Sequence, residues 1–360
     1  MAEVFDFSKR LGPKRKQEFA ELLKRLSKQI GFKVSSRGWC YIMEQHGFIN
    51  KSQFDKIDDA INDCRRKGLI PVDFVAEEDA RMFKGVEPID GGDQSMEDIL
   101  EWMCRDLLDA SNYFKPKWWE NETYYIQMVV EKIDLVTLFE PVCKKCNIPI
   151  ANAKGWSSIL QRAQYCRRYK EAEDMGLQCV LLYCGDHDPD GGRISDTLRA
   201  NLEQISEIEW SDGEVGWNPA NLIIDRFGLN YDYIKKNELT WIDNLITGSG
   251  KNLADKNHPN FDLPYVKDYL KNIGERKCEA NAIVVTPLSA RQLCKEAIEK
   301  YLGPDATDRF DKVKEQRTKD YKKVLKESGI GGPIATFLDV DIDDYTGEND
   351  EDEDEEDEDA

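Results

Sequence analysis

From residue 124 onward, short apolar runs that suit buried strands alternate with longer segments of helical periodicity. The strand-like runs cover 125–130, 148–151 and 179–184. The helical segments cover 135–146, 159–175 and 194–205. Alternation of this kind is typical of βαβ units, which place successive strands parallel in one sheet. We therefore expect a parallel α/β domain in this part of the chain.

Acidic residues follow two of these strand-like runs. Glu131 comes directly after the first run, and Asp186 and Asp188 come just after the third. In open α/β sheets ligands bind at the carboxyl ends of the strands, where these acids would meet. Three carboxylates with open positions suit Mg²⁺ and phosphoryl-transfer chemistry on a polyanion. The alternative is a pair of solvated turns, since Asp, Pro and Gly are ordinary turn formers.

Charge is distributed very unevenly along the chain. The net charge is −20, but the stretch from Asp339 to the end holds fifteen acidic residues and no basic one. Without these fifteen charges the net charge is −5, and residues 9–37 contain ten Lys or Arg. Such asymmetry is typical of a basic nucleic-acid-binding face with an acidic tail. The tail is too poor in apolar groups to fold.

The N-terminal region predicts three helices. An amphipathic helix is expected over 13–30, a second that is capped by Ser35 or Ser36 and runs to Gly47, and a third after Ser52 that stops at Gly68. Residues 69–75 read as extended. Helices followed by a strand predict a winged helix-turn-helix. The candidate DNA-binding residues at the end of its recognition helix are Arg65, Arg66 and Lys67.

Tyr41 is a candidate nucleophile on the second of these helices. Arg37 lies four positions earlier and so on the same helix face, where its guanidinium would stabilise a phenolate or a phosphate. Most pairs with this spacing are only structural. Lys154 and Gly155 lie between a predicted strand and a helix, where backbone N–H groups favour phosphate. A plain connecting turn explains them equally well.

Other features limit the location of the protein. No window approaches eighteen consecutive apolar residues, and the first residues have no apolar signal-peptide core. The ten cysteines are scattered through apolar segments, as expected of buried, reduced thiols. We expect an intracellular protein without a membrane anchor, in the cytoplasm or nucleoid, or in a nucleus.

The order of the motifs resembles one known family. Its members are the A subunit of topoisomerase VI and the meiotic double-strand-break transesterase, and the stand-alone Mini-A group is the most similar. The segments that carry the resemblance are Arg37-Gly38-Trp39-Cys40-Tyr41, Val129-Val130-Glu131-Lys132, Lys154-Gly155, Asp186-His187-Asp188-Pro189 and Lys277-Cys278-Glu279-Ala280. The family usually has an acid at position 38 and a tyrosine at position 40, so this chain departs from the pattern at Gly38 and Cys40.

The resemblance implies a fold and a function. A winged-helix domain at 1–84 would carry Tyr41, a linker and connecting helix would cover 85–122, and a Toprim domain with a helical extension would cover 123–338. A disordered acidic tail would occupy 339–360. Tyr41, assisted by Arg37, would attack double-stranded DNA and form a 5′-phosphotyrosyl link.

The resemblance also implies partners and a cofactor. Glu131, Asp186 and Asp188 would hold Mg²⁺, and the chain would act as a homodimer in which the tyrosine of one copy meets the carboxylates of the other. A separate B-type ATPase subunit is a possible partner. Two alternatives stay open, namely a Toprim nuclease that uses water and the metal alone, and a non-catalytic module that binds or mimics DNA.

Overall fold

The computed structural model describes residues 5, 7, 11–76, 95–113, 117–153, 158–213, 216–246 and 251–342. The helices are α1 (Pro13–Ile30), α2 (Ser36–Gln45), α3 (Phe54–Arg66), α4 (Met96–Leu108), α5 (Ile133–Lys145), α6 (Ile159–Asp174), α7 (Ile194–Glu203), α8 (Tyr231–Lys236), α9 (Pro264–Asn272), α10 (Pro287–Leu302), α11 (Ala306–Glu327) and α12 (Gly331–Leu338). The strands are β1 (Tyr124–Val130), β2 (Ile150–Asn152), β3 (Gln178–Cys184) and β4 (Ile223–Gly228).

The four strands form one parallel sheet in the order β2-β1-β3-β4. Helix α5 connects β1 to β2, α6 connects β2 to β3, and α7 lies between β3 and β4 in the chain. After their first residue β1 and β3 are buried throughout, as expected of parallel strands covered on both faces. The prediction of a parallel α/β domain is confirmed.

The strand order creates a switch point between β1 and β3. From β1 the chain continues to β2 on one side, and from β3 it continues to β4 on the other side. At such a point the connections diverge and leave a crevice outside the carboxyl ends of the two strands, where ligands bind in open α/β sheets. The residues that follow Val130 and Cys184, which are paired across the two strands, therefore stand at the edge of this crevice.

Three helices form the N-terminal region. The predicted helix over 13–30 is confirmed as α1, and α2 and α3 also lie where they were predicted. Their apolar stripes are buried, with Phe19 and Leu23 of α1, Ile42 of α2, and Ile57 and Ile61 of α3 in the core.

The expectation of an extended segment at 69–75 is wrong. These residues form turns, in which the Phe74 N–H donates to the Pro71 carbonyl at 3.2 Å. Pro71 has no N–H and cannot take part in a ladder on that side. Within 11–76 the strand-like pairing is a single parallel bridge between Ser35 and Ala76, so the described residues do not form a β-wing.

The chain divides into two compact units. The first comprises Met1–Asp79 and Asn121–Pro304, and thus joins the N-terminal helices to the sheet. The second comprises the described residues of Ala80–Glu120 and Asp305–Ala360. Helices α11 and α12 therefore group with α4, whereas the boundaries drawn from the sequence place them with the sheet.

The second unit has a small apolar core of its own. Its buried residues are Leu108, Leu325, Ile334, Leu338 and Ile342. Ile342 belongs to the predicted acidic tail but packs in this core, and the tail from residue 343 onward lies outside the described residues.

Two further expectations concern the thiols and the membrane. The cysteines are buried except Cys104, which is half-buried, as predicted for core thiols. In the part of the chain that the structure describes, no helix has both the length and the apolar character that a membrane span requires.

Candidate active site

Two predicted metal ligands, Glu131 and Asp186, lie side by side at the carboxyl edge of the sheet. Glu131 follows β1 directly, and its N–H donates to the Cys184 carbonyl at 2.9 Å, which extends the pairing of β1 with β3. Asp186 follows β3 after one intervening residue, and its N–H donates to Glu131 Oε2 at 2.7 Å. The parallel pairing thus joins two acids that are 55 positions apart in the chain.

Gly185, between β3 and Asp186, permits this close approach. A Cβ atom at this position would lie 2.6 Å from Glu131 Oε2 and would also collide with the Tyr183 hydroxyl. That hydroxyl itself donates to Glu131 Oε2 at 3.3 Å. A larger residue at position 185 would therefore push Glu131 away from Asp186.

Lys132 bridges the two carboxylates. Its ammonium group donates to Glu131 Oε1 at 3.0 Å and to Asp186 Oδ2 at 2.9 Å. Burial lowers the pKa of Lys132, but Asp186 and Glu131 outweigh it, so the pKa is raised and the amine is fully charged. The remaining oxygen of Asp186, Oδ1, accepts the Ala280 N–H at 2.7 Å. Each oxygen of the pair therefore has a donor from the chain itself.

Asp188 lies near this pair but has a different partner. Its Oδ1 accepts the Gly191 N–H at 2.6 Å and so closes the turn after β3. Burial raises the pKa of Asp188 to about 6; the Gly191 hydrogen bond opposes this shift, whereas repulsion from Asp186 and Glu131 adds to it. Among the residues that the structure describes, no three His, Cys, Asp or Glu side chains form a group that could hold a metal ion.

The chemistry of the donor set nevertheless suits a hard cation. Glu131 and Asp186 offer carboxylate oxygens only, which are the ligands that Mg²⁺ prefers. A cation already lies between these two acids, namely the ammonium group of Lys132. The pair thus has the charge and spacing to share one positive centre.

Tyr41 lies on α2 within a group of basic side chains. Its half-buried ring packs edge to face on Phe54, with 5.0 Å between the centroids. The Arg37 guanidinium carbon is 5.9 Å from the Tyr41 centroid, as predicted from their spacing, and Lys51 Nζ is 5.7 Å from it. Two cations therefore flank the ring, and the structure confirms that Arg37 and Tyr41 share one helix face.

The sheet edge contributes a third cation and an acid to the surroundings of Tyr41. Burial raises the pKa of the Tyr41 hydroxyl, whereas the charges of Lys132 and Arg37 and a hydrogen bond from Arg37 oppose this shift. Asp186 also acts on this hydroxyl and raises its pKa further. Tyr41 therefore lies within electrostatic reach of the carboxylate pair of its own chain.

A buried contact holds α2 against the sheet edge. Asp134, in the first turn of α5, accepts the Ser35 N–H at 2.9 Å and the Ser35 hydroxyl at 3.1 Å. Ser35 also caps α2, as predicted, because its hydroxyl oxygen accepts the Gly38 N–H at 3.0 Å. On its other side α2 packs on a 3-10 helix at Ala280–Val285, whose first N–H binds Asp186.

The two departures from the family pattern have local explanations. A Cβ atom at Gly38 would lie 2.9 Å from Cγ of Asp134, so only glycine lets α2 approach this carboxylate. Cys40 is fully buried and its thiol donates to the Phe54 carbonyl at 3.4 Å, in a core position with no room for tyrosine.

A second ion-pair cluster lies next to Tyr41. Glu279, which is 7% exposed, forms a short ion pair with Lys51 and lies 3.8 Å from Lys277. A cleft lies beside these residues and is lined by Tyr41, Glu44, Gln45, Thr240, Ile242, Glu279 and Ala282. The segment around Glu279 is one of those that carry the family resemblance. Lys51 and Asp134 were not predicted, because a single Lys or Asp near a helix start is an ordinary surface pattern.

The predicted DNA-binding residues differ in their surroundings. Lys154 and Gly155 lie outside the described residues. Arg65 and Arg66 close α3, as predicted, and Lys67 follows them.

Arg65 and Lys67 already contact their own chain. Arg65 Nε donates to the Val72 carbonyl at 2.7 Å, and Lys67 Nζ lies 2.9 Å from Asp63. Arg66 is exposed. DNA contacts by these residues remain a prediction.

His187 and Asp190 turn away from the carboxylate pair. The His187 ring contacts Trp241 and Tyr269, and its Nδ1 lies 3.2 Å from the Leu229 carbonyl oxygen. Asp190 accepts a hydrogen bond from the Tyr265 hydroxyl at 3.1 Å. Neither side chain shares a hydrogen bond with Glu131 or Asp186.

Comparison of the chain with protein-family models, curated proteins and solved structures gave no match. The resemblance to the topoisomerase VI A subunit therefore rests on the sequence motifs alone.

Proposed function

We propose that this protein cleaves double-stranded DNA by tyrosine transesterification, in the manner of the topoisomerase VI A subunit. The observation that supports this function best is that Arg37 lies over the Tyr41 ring while Lys132 and Asp186, which are paired with each other, act electrostatically on the Tyr41 hydroxyl. A nucleophile, cations for a phosphate, and paired carboxylates are the parts that such a reaction requires. All of them belong to the first compact unit.

The reaction is a transesterification, in which the DNA phosphate is transferred from the 3′ oxygen to the oxygen of Tyr41. The Tyr41 oxygen attacks phosphorus, the new bond joins the tyrosine to a 5′ phosphate, and the bond to the 3′ oxygen breaks. The tyrosine loses its proton, and the leaving 3′ oxygen gains one. Because burial raises the pKa of Tyr41, the phenol is protonated at neutral pH, and the Arg37 and Lys132 charges favour its ionised form as the proton leaves.

Mg²⁺ is the cofactor that this proposal includes. Glu131, Asp186 and Asp188 would hold it, and the bound ion would neutralise charge on the reacting phosphate. Arg37 and Lys51, whose charged groups lie 5.9 and 5.7 Å from the centroid of the Tyr41 ring, add positive charge for the DNA backbone.

The proposed partners follow from the same function. The basic N-terminal region would bind the DNA backbone, so that the affinity for DNA falls as salt rises. We propose a homodimer, in which each chain cuts one strand, and a separate B-type ATPase subunit as a possible further partner. An intracellular location in contact with DNA belongs to this proposal.

A plasmid assay tests the function. Supercoiled DNA is incubated with the protein and Mg²⁺, and the products are run on denaturing gels with and without protease digestion. Ends that migrate normally only after digestion are expected from the wild-type protein. The expected result with Tyr41→Phe is no protein-linked end, whereas Tyr231→Phe, a matched change at a partly exposed tyrosine, leaves the yield unchanged.

The same assay separates the alternatives. Free ends without protease treatment, and in Tyr41→Phe, would identify a nuclease that uses water. A binding module would be identified by two results together. The protein would not cleave DNA, and the variants Glu131→Ala and Asp188→Ala would still bind it.

A further inference from the structure

Lys132 occupies the position that a metal ion would need in order to contact Glu131 and Asp186 together. Its ammonium lies 3.0 Å from one carboxylate and 2.9 Å from the other. The exposed fraction of the side chain is 23% for Lys132, 12% for Asp186 and 31% for Glu131, so the bridge is partly shielded from water. A positive centre between two shielded carboxylates stabilises them strongly, and a second one cannot share the same space.

The same lysine also acts electrostatically on the nucleophile. Burial raises the pKa of the Tyr41 hydroxyl, and the charges of Lys132 and Arg37 both oppose this shift. Lys132 is followed directly by α5, and its own backbone is extended rather than helical. Its flexible side chain can therefore exchange partners without any change in the sheet or the helix.

We propose that Lys132 and a divalent cation compete for the Glu131–Asp186 pair, so that loading the metal releases the Lys132 ammonium to Tyr41 and the DNA phosphate. The lysine offsets one of the two negative charges of the pair while the metal is absent, and it becomes a phosphate-side cation when the metal is bound. This inference rests on the proposed function, because it gives Lys132 a role at the same site.

Three observations support the exchange. The Glu131–Asp186 pair would be left as two adjacent shielded negative charges without Lys132. Asp186 Oδ1 keeps the Ala280 N–H as a donor, so the carboxylate stays oriented when Lys132 leaves Oδ2. Glu131 Oε2 likewise keeps the Asp186 N–H and the Tyr183 hydroxyl. When Lys132 leaves, Glu131 Oε1 and Asp186 Oδ2 are the oxygens available to the metal.

Binding of Mn²⁺ to the DNA-free protein tests the competition directly. Mn²⁺ has the same preference for oxygen ligands as Mg²⁺ and its free form is measured by electron paramagnetic resonance. The variants are Lys132→Met, which removes the competing charge, and Lys132→Arg, which keeps it. Lys51→Met is the matched control, since Lys51 Nζ also lies near the Tyr41 ring, 5.7 Å from its centroid, but pairs with Glu279.

The expected result is that Lys132→Met binds Mn²⁺ at least ten times more tightly than the wild-type protein. Lys132→Arg is expected to bind no more tightly than wild type, and Lys51→Met to change affinity by less than about threefold, because its charge is farther from the pair. At saturating metal, Lys132→Met should form less DNA adduct than wild type. Tighter metal binding with weaker cleavage is a combination that loss of structure does not produce.

Unchanged or weaker Mn²⁺ binding in a folded Lys132→Met protein would overturn the inference, as would no binding in any variant. Circular dichroism establishes whether Lys132→Met folds. If it does not, Lys132→Arg serves as the second variant and should bind Mn²⁺ as tightly as the wild-type protein or less tightly. Tighter Mn²⁺ binding by Lys132→Arg would overturn the inference. Failure of the proposed function is recognised separately, as an adduct that persists in Tyr41→Phe.

Discussion

Asp134 accepts two hydrogen bonds from Ser35, one from its backbone N–H at 2.9 Å and one from its hydroxyl at 3.1 Å. The two residues are 99 positions apart, one at the start of α5 and the other at the cap of α2. Asp134 is 3% exposed, and it is one of few polar groups in the core. This contact fixes the helix that carries Tyr41 to the helix that follows Glu131.

Removing the Asp134 carboxylate should loosen this attachment. Asp134→Ala leaves the Ser35 N–H without its acceptor, which we expect to lower the free energy of unfolding by about 1–3 kcal/mol. It should also lower the yield of DNA adduct, since Tyr41 is held less firmly. Asp134→Asn keeps one acceptor oxygen and should lose less in both measurements. Urea denaturation and the adduct assay test this, and wild-type values for Asp134→Ala would contradict it.

Gly38 should not tolerate even a methyl group. Gly38→Ala places a Cβ atom 2.9 Å from Asp134 Cγ, so α2 has to move away from the sheet edge. We expect a loss of adduct of at least tenfold, although no charged group is removed. Gly12→Ala is the control, because a Cβ atom there meets nothing within 4 Å. Equal adduct yields from the two variants would show that the close approach has no effect on Tyr41.

The stability of the protein should depend on the ionisation of Asp188. Its pKa is raised from 3.8 to about 6, so the folded state binds the proton more tightly than the unfolded state. The stabilising contribution is therefore complete below pH 4 and is lost as the pH rises through 6. Above that pH the ionised carboxylate costs about 3 kcal/mol relative to pH 4.

Asp188→Asn removes this titration. The variant should match the wild-type protein at pH 4 and should be more stable by up to about 3 kcal/mol at pH 8, with metal ions chelated. Denaturation by urea at pH 4 and pH 8 measures the effect, and a difference for Asp188→Asn that does not change with pH would refute it.

Tyr41 should act with the carboxylates of its own chain. The resemblance implies the opposite arrangement, with the tyrosine of one copy meeting the carboxylates of the other, but in this structure Tyr41 and Asp186 of one chain interact electrostatically. Heterodimers with two different tags distinguish the arrangements. In the first heterodimer, one chain carries Tyr41→Phe and the other carries Asp186→Asn. In the second heterodimer, one chain is wild type and the other carries both changes.

If the site is formed within one chain, the first heterodimer is inactive and the second retains one working site, which nicks the plasmid. A site formed between chains gives the reverse, with nicking only by the first heterodimer. Each arrangement predicts nicking by one heterodimer and no nicking by the other, so neither conclusion depends only on the absence of a product.

Much of the fold was predictable from local patterns. The helix at 13–30 was predicted with its observed bounds because Pro13 and Gly31 mark its ends and its apolar stripe is regular. Strands β1 and β3 were evident as apolar runs. Strand β4 was missed because it contains Asp225 and Arg226 and is only half-buried for most of its length, so it lacks the apolar run of an inner strand.

The candidate site was predictable only in part. The order of the strands brings Glu131 to Asp186, and this follows from parallel pairing that the sequence indicates. The contacts of Lys132 with both acids and of Asp134 with Ser35 depend on side-chain packing across distant segments, which no local pattern encodes. Asp188 was expected to join the acidic pair, whereas its carboxylate instead accepts the hydrogen bond of a turn at Gly191.

The most direct measurement is the location of the nucleotide on the protein. A DNA adduct trapped from the wild-type protein is digested with nuclease and trypsin and analysed by mass spectrometry. Trypsin cuts after Arg37 and Lys51, and the peptide between them contains one tyrosine, Tyr41. We predict a nucleotide mass on this peptide, at Tyr41. A nucleotide on another peptide, or cleaved DNA with no modified peptide, would contradict the proposal that Tyr41 is the nucleophile.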